Sequence, residues 1–164
     1  MRQTLLATLS LCAALLLGAA AWAQQPPAPP MPPTTPYGAP ITLEQARKAA
    51  DAAAAEARKR NQTVAIAIVE PSGALVYFMR MDGTQYASVE VAQAKAVSAA
   101  LYRRSSKDFL DRVAKGDLSP MALHRAVASA GGIPIAVDGK IIGAIGISGG
   151  ADDPIARAGA DALK

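Results

Sequence analysis

One histidine, a single cysteine at position 12, and a knot of methionine and tyrosine over residues 77–86 are what this chain offers for chemistry. His124 stands alone, which excludes multi-histidine metal sites. A Ser-His-Asp triad would have to use it, and no G-x-S-x-G elbow is present. As a single residue it can be an axial ligand to haem iron, or an ordinary surface or capping histidine. Without C-x-x-C-H, covalent haem attachment is excluded. Tyr77, Met79 and Met81 share one face of an extended segment, and Phe78 and Arg80 share the other. Met79, Met81 and Tyr86 can ligate haem iron or line its pocket; they can equally be sheet packing. Asp82-Gly83 reads as the turn that ends this strand. Lys95, between Ala94 and Ala96, can reach a carboxylate such as a haem propionate or a small organic acid, or lie on a solvated helix face. Glu70 and Glu90 are isolated, so no carboxylate pair for glycoside chemistry is evident.

The second chemical feature is residues 131–153, G-G-I-P-I-A-V-D-G-K-I-I-G-A-I-G-I-S-G-G-A-D-D. It reads as a β-hairpin: residues 134–137, an Asp138-Gly139 type I′ turn, and a return strand over 140–147. Gly143 and Gly146 on the return strand leave gaps for another backbone or a flat ligand. Ser148-Gly149-Gly150 precedes a helix start, where backbone N–H groups can hold an anion. Asp152 or Asp153 as N-cap would compete for them. Neither a Walker loop nor a dinucleotide fingerprint is present.

Two blocks together carry a family resemblance. One is Gly131-Gly132, Pro134-Ile135, then I-G-A-I-G-I-S-G over 142–149 and an aspartate before the last helix. The other is Met81-Asp82-Gly83 followed by Ser88, Ala92 and Lys95-Ala96. Over residues 41–164 the chain resembles the GlcG/HbpS family, which includes secreted haem-binding proteins, a protein encoded with glycolate metabolism, and a domain attached to corrinoid adenosyltransferases. The resemblance implies an α+β domain whose mostly antiparallel five-stranded sheet is flanked by helices in a profilin- or PAS-like layout, with one strand just before Gly131-Gly132. It implies a homo-oligomer, and haem held non-covalently by the glycine-rich hairpin and the second strand. The site residues would be Met79, Met81, Asp82, Tyr86, Lys95, Gly132, Gly143, Gly146 and Ser148, with His124 the alternative axial ligand. Sequestration, transfer and slow degradation of haem all remain open. So do an enzyme or binding protein for a small hydroxy acid, and a structural or sensor oligomer without cofactor.

The elements that must position these residues can be read from pattern. Arg2, the apolar run 5–20 and Ala21-Trp22-Ala23 read as a cleaved signal peptide over 1–23, which implies a periplasmic or secreted protein with no membrane span after cleavage. Cys12 falls inside it, so the mature chain has no thiol. Residues 24–40 hold eight of the twelve prolines and read as an exposed, disordered tether. One domain follows over 41–164. Thr42 and Gln45 form a capping box for a helix to about residue 60. Apolar 64–69 and 75–81 read as paired strands. Helices follow at 88–102, capped by Ser88, after Ser105 or Ser106, at Ser119-Pro120, and from Pro154. Residues 123–129 have short-helix propensity, against the strand the resemblance implies. Without Arg2, 16 Lys+Arg face 13 Asp+Glu, a net charge of +3 and too scattered for nucleic acid.

Overall fold

The computed structural model describes residues 35–164; the expected signal peptide and most of the expected tether lie outside them. The elements run α1 (Leu43–Lys59), β1 (Ala65–Val69), β2 (Leu75–Arg80), α2 (Ser88–Tyr102), α3 (Ser106–Ala114), a 3-10 turn (Ser119–Ala122), β3 (Gly132–Val137), β4 (Lys140–Ser148) and α4 (Asp152–Asp161). The fold is α+β, with one antiparallel sheet in the order β2-β1-β4-β3.

Four strands are present among the described residues, not the expected five. The segment before Gly131-Gly132 forms neither strand nor regular helix, because its backbone groups are satisfied elsewhere. Val127 N–H donates to Ser98 Oγ of α2 at 3.0 Å, and Ser129 C=O accepts from Ser106 Oγ of α3 at 2.5 Å. Arg125 has φ 60°, a left-handed conformation that interrupts any ladder. The neighbouring edge strand β3 also contains Pro134, which has no N–H to offer a fifth strand.

The sheet has two differently built faces. Ile66, Ile68, Ile145 and Ile147 project toward α1 and α4, and α1 answers with a buried alanine stripe at Ala46, Ala49, Ala50, Ala53, Ala54 and Ala57. Large side chains on the sheet and small ones on the helix interdigitate. On the opposite face both partners are small: Ala65, Ala67 and Ala144 meet Ala92, Ala96, Ala99 and Ala100 of α2. That lets α2 lie close to the sheet.

The expected turn chemistry is present. Thr42 Oγ1 accepts from Gln45 N–H at 3.2 Å, and Gln45 Oε1 accepts from Thr42 N–H at 3.0 Å. Asp138 and Gly139 have φ 50° and 71°, as the hairpin turn requires. The last residues of the expected tether are bound to the domain. Pro36 C=O accepts from Ile141 N–H and Ile141 C=O from Gly38 N–H, both at 2.8 Å. Proline loses a donor but keeps its carbonyl, so a proline-rich segment can still join a strand by that acceptor.

Candidate functional site

Both sequence blocks converge at one end of the sheet. There β2 ends and α2 begins, and β4 ends and α4 begins. Ser88 is fully buried at the start of α2, and Ser148, at the end of β4, donates to it (Oγ to Oγ, 3.2 Å). Ser88 was expected to cap α2. Instead Ala87 holds the N-cap position without a side-chain bond, and Ser88 faces inward. Thr84 is buried beside the same turn, its hydroxyl without a hydrogen-bond partner among the described residues.

Lys95 is 2% exposed. Its Nζ donates to Asp152 Oδ2 at 2.6 Å and to Ile147 C=O at 3.1 Å. The solvated-face alternative for Lys95 is therefore corrected: the side chain runs inward from α2 to the first residue of α4. Asp152 was expected to be a capping residue or to leave the role to Asp153. In the structure Ala151 is the N-cap, Asp152 is the counter-ion of Lys95, and its Oδ1 accepts from Gly150 N–H at 2.8 Å. The possible anion loop is thus filled by the chain itself, with Ala151 N–H donating to Gln62 Oε1 at 2.7 Å. Ammonium and loop together form a closed internal network, which positions helices rather than presenting a free cation.

The glycines answer the choice between backbone and flat ligand in favour of backbone. A Cβ on Gly146 would collide with the Ala92 carbonyl and lie 2.5 Å from Ala96 N. One on Gly132 would collide with the Lys95 carbonyl. Gly143, on the other face, would meet the Val69 carbonyl and the Ile41 side chain. Within the chain, the space expected to admit a ring at Gly143 and Gly146, and the surroundings of Gly132, hold α2, β1 and the approach to α1.

Met79, Met81 and Asp82 line an open depression of about 360 Å³ together with Arg58 and Arg80. Met79 pairs with Ile66, and both methionines reach the α1-side core with part of their surface. Tyr86 is 84% exposed, and the Arg80 guanidinium lies 5.4 Å from its ring centroid. Neither arginine is among the site residues expected from the sequence, and Arg80 was expected on the face opposite the methionines. The short connection between Lys59 and Ala65 places the end of α1 beside the start of β1, and β1–β2 pairing places Arg80 opposite Ala65. His124 is exposed, and its carbonyl accepts from Tyr102 Oη at 2.7 Å at the far end of α2. Fifteen helical residues, about 22 Å, separate the two ends of that helix. The structure does not bring His124 to the methionines.

Among the described residues no group of three or more His, Cys, Asp or Glu is placed to hold a metal ion. No described helix is long and apolar enough to cross a membrane. Residues 41–161 match the family described as haem degrading protein HbpS-like. The chain belongs to that family. Protein GlcG of Escherichia coli K12 is 38% identical over 93 residues, covering 57% of this chain and 69% of GlcG. A crystal structure of Streptomyces reticuli HbpS, a double mutant, superposes with TM-score 0.71 at 29% identity, covering 85% of this chain and 99% of that one. A structure described as a PduOC:heme complex gives TM-score 0.69 at 26% identity, covering 76% and 96%. The HbpS-like match spans both sequence blocks and every element from α1 to α4.

Proposed function

We propose that this chain is an exported haem-binding protein that holds haem non-covalently over the depression at the end of β2. The observation that carries the reading is that two methionines, Met79 and Met81, line the same depression as two arginines, Arg58 and Arg80. Thioether sulfur is a known haem-iron ligand, and guanidinium groups suit the propionates. The exposed Tyr86 ring, already stacked under Arg80, offers a flat surface. Family membership and the haem bound by a structural relative support the ligand class. Lys95 takes a supporting part in this reading, since its ammonium is held by Asp152. Haem bound there would supply iron chemistry; the chain's own residues bind and orient it.

The depression is open and would cover only part of a porphyrin. That favours an assembly in which a second copy covers the rest, so the proposal includes a homo-oligomer. Export rests on the pattern of residues 1–23.

One preparation tests all three parts. Protein recovered from the cell envelope should have a mass lacking residues 1–23 and scatter light as more than a monomer. Titrated with haemin, it should show a saturable Soret shift. Met79→Ala or Met81→Ala should move the Soret maximum, and Arg58→Ala or Arg80→Ala should each weaken binding about tenfold. Absence of a saturable Soret change in folded protein, or indifference to all four substitutions, would reject the site.

A further inference from the structure

At the turn end of the β1–β2 hairpin, against the middle of α2, lies a separate half-open cavity of about 300 Å³. Its apolar walls come from Val69, Leu75, Val97 and Val127, and its polar groups are Arg125 and Gln93. Val69 and Val97 are 1% and 6% exposed, so they form a floor; Leu75, at 50%, forms a rim. We propose that this cavity is a second ligand site, for a short amphipathic monocarboxylate whose apolar body lies on the valines and whose carboxylate meets Arg125.

Four observations converge on it. Arg125 is an exposed residue at the edge of this mostly apolar space, and its side chain has no ion-pair or hydrogen-bond partner among the described residues, so its guanidinium is available to a ligand. Glu70, in the adjoining β1–β2 turn, accepts from the Ser72 hydroxyl instead. Arg125 has φ 60°, a conformation that costs a non-glycine residue free energy and that clusters at ligand sites. The turn opposite is built to keep the mouth open. Gly73 has φ 86°, and a Cβ there would lie 3.3 Å from Val97 Cγ1 and 3.9 Å from Arg125 Nη1. Any side chain at that position would enter the space between the arginine and the floor. Gln93, which also lines the cavity, donates one amide hydrogen to Val89 C=O at 3.0 Å, and its second N–H and its oxygen have no partner among the described residues.

Charge and size define the ligand class. A guanidinium without a counter-ion selects an anion, and its planar fork suits a carboxylate. A volume at the lower end of ligand pockets, roughly 300–1,000 Å³, suits a molecule of few heavy atoms. The walls ask for hydrocarbon rather than hydroxyl groups.

Hexanoate, hexanamide and acetate separate the contributions of charge and apolar body when titrated into the full-length mature protein by calorimetry or amide chemical shifts. Hexanoate should bind with Kd about 1 mM or tighter, and the amide and acetate at least tenfold more weakly. Arg125→Gln should reduce hexanoate to the level of hexanamide. Val97→Trp should fill the floor and abolish both. Arg125→Gly relieves the backbone conformation and should also lose hexanoate, which guards against a loop artefact in the glutamine variant. Haemin titrations of these variants should match the parent, because the methionine depression is at the opposite end of the β1–β2 hairpin. Equal binding of hexanoate and hexanamide, no hexanoate binding at millimolar concentration, or indifference to Arg125→Gln would overturn the proposal.

Discussion

A lysine ammonium sealed between two helices is expensive unless every charge around it is matched. Lys95 meets that condition with one carboxylate and one carbonyl, and Asp152 is itself held by the Gly150 amide. Removing one partner strands the other in a poorly solvated place. Asp152→Ala should therefore lower the free energy of unfolding by about 3 kcal/mol, whereas Lys95→Met with Asp152→Leu should recover most of the loss. Urea unfolding monitored by circular dichroism measures both, and an Asp152→Ala loss below about 0.5 kcal/mol would show that the pair contributes little. The same argument bears on haem: Lys95→Ala should lose ligand together with fold, not ahead of it. Sequence alone placed Lys95 on a helix but not on a face. Its neighbours are nearly all alanine, valine and serine, so α2 shows no polar stripe to mark the solvent side. Asp152 lies 57 residues away and has the pattern of a cap, so only the tertiary fold, which brings the first residue of α4 to the Lys95 side chain at the end of the sheet, reveals the pair.

At the scale of elements, the glycines set how closely α2 lies on the sheet. Ala67, Gly146 and Gly132 are cross-strand neighbours and make a row with almost no side chain beneath Ala92–Ala96. Gly146→Val should lift α2 from the sheet and cost more than about 3 kcal/mol, since the clash is with helix backbone that has no rotamer to yield. Gly139→Ala meets no atom within 4 Å and should cost only about 1 kcal/mol for its φ of 71°. Equal melting temperatures for these two variants would contradict the close-packing account. Periodicity, the caps of α1 and α3 and the Asp138-Gly139 turn made four helices and four strands legible, because each depends on residues adjacent in sequence. The non-strand at 123–131 was not legible, because Ser98 and Ser106, which take up its backbone groups, lie on distant helices. For the candidate site the methionines and Tyr86 were readable by type and alternation. Arg58 and Arg80 join them only through the β1–β2 pairing and the placing of the α1 terminus.

The whole molecule is closed by the segment that composition assigned to the tether. Residues 36–41 bond to the start of β4, and Tyr37 Oη donates across the fold to Ala100 C=O at 2.9 Å and Leu101 C=O at 3.1 Å. Those carbonyls belong to the last turn of α2, where helix acceptors have no partner of their own. Arg103 follows in the left-handed conformation and places its guanidinium 5.1 Å from the Tyr37 ring centroid. One residue thus ties the start of β4 to the last turn of α2, adding to the direct packing of these two elements at Gly146. Tyr37→Phe keeps the ring and loses the hydroxyl, and should cost about 1 kcal/mol, or a fall of a few degrees in Tm. A chain beginning at Ile41 also loses the two bonds to Ile141 and the stacked ring, and should lose about 2–3 kcal/mol relative to one beginning at Thr35. Differential scanning calorimetry of the three chains orders them: residues 35–164 most stable, Tyr37→Phe next, residues 41–164 least. If the chain beginning at Ile41 melted with the one beginning at Thr35, residues 35–40 would be a passive lead-in and the domain would begin at α1.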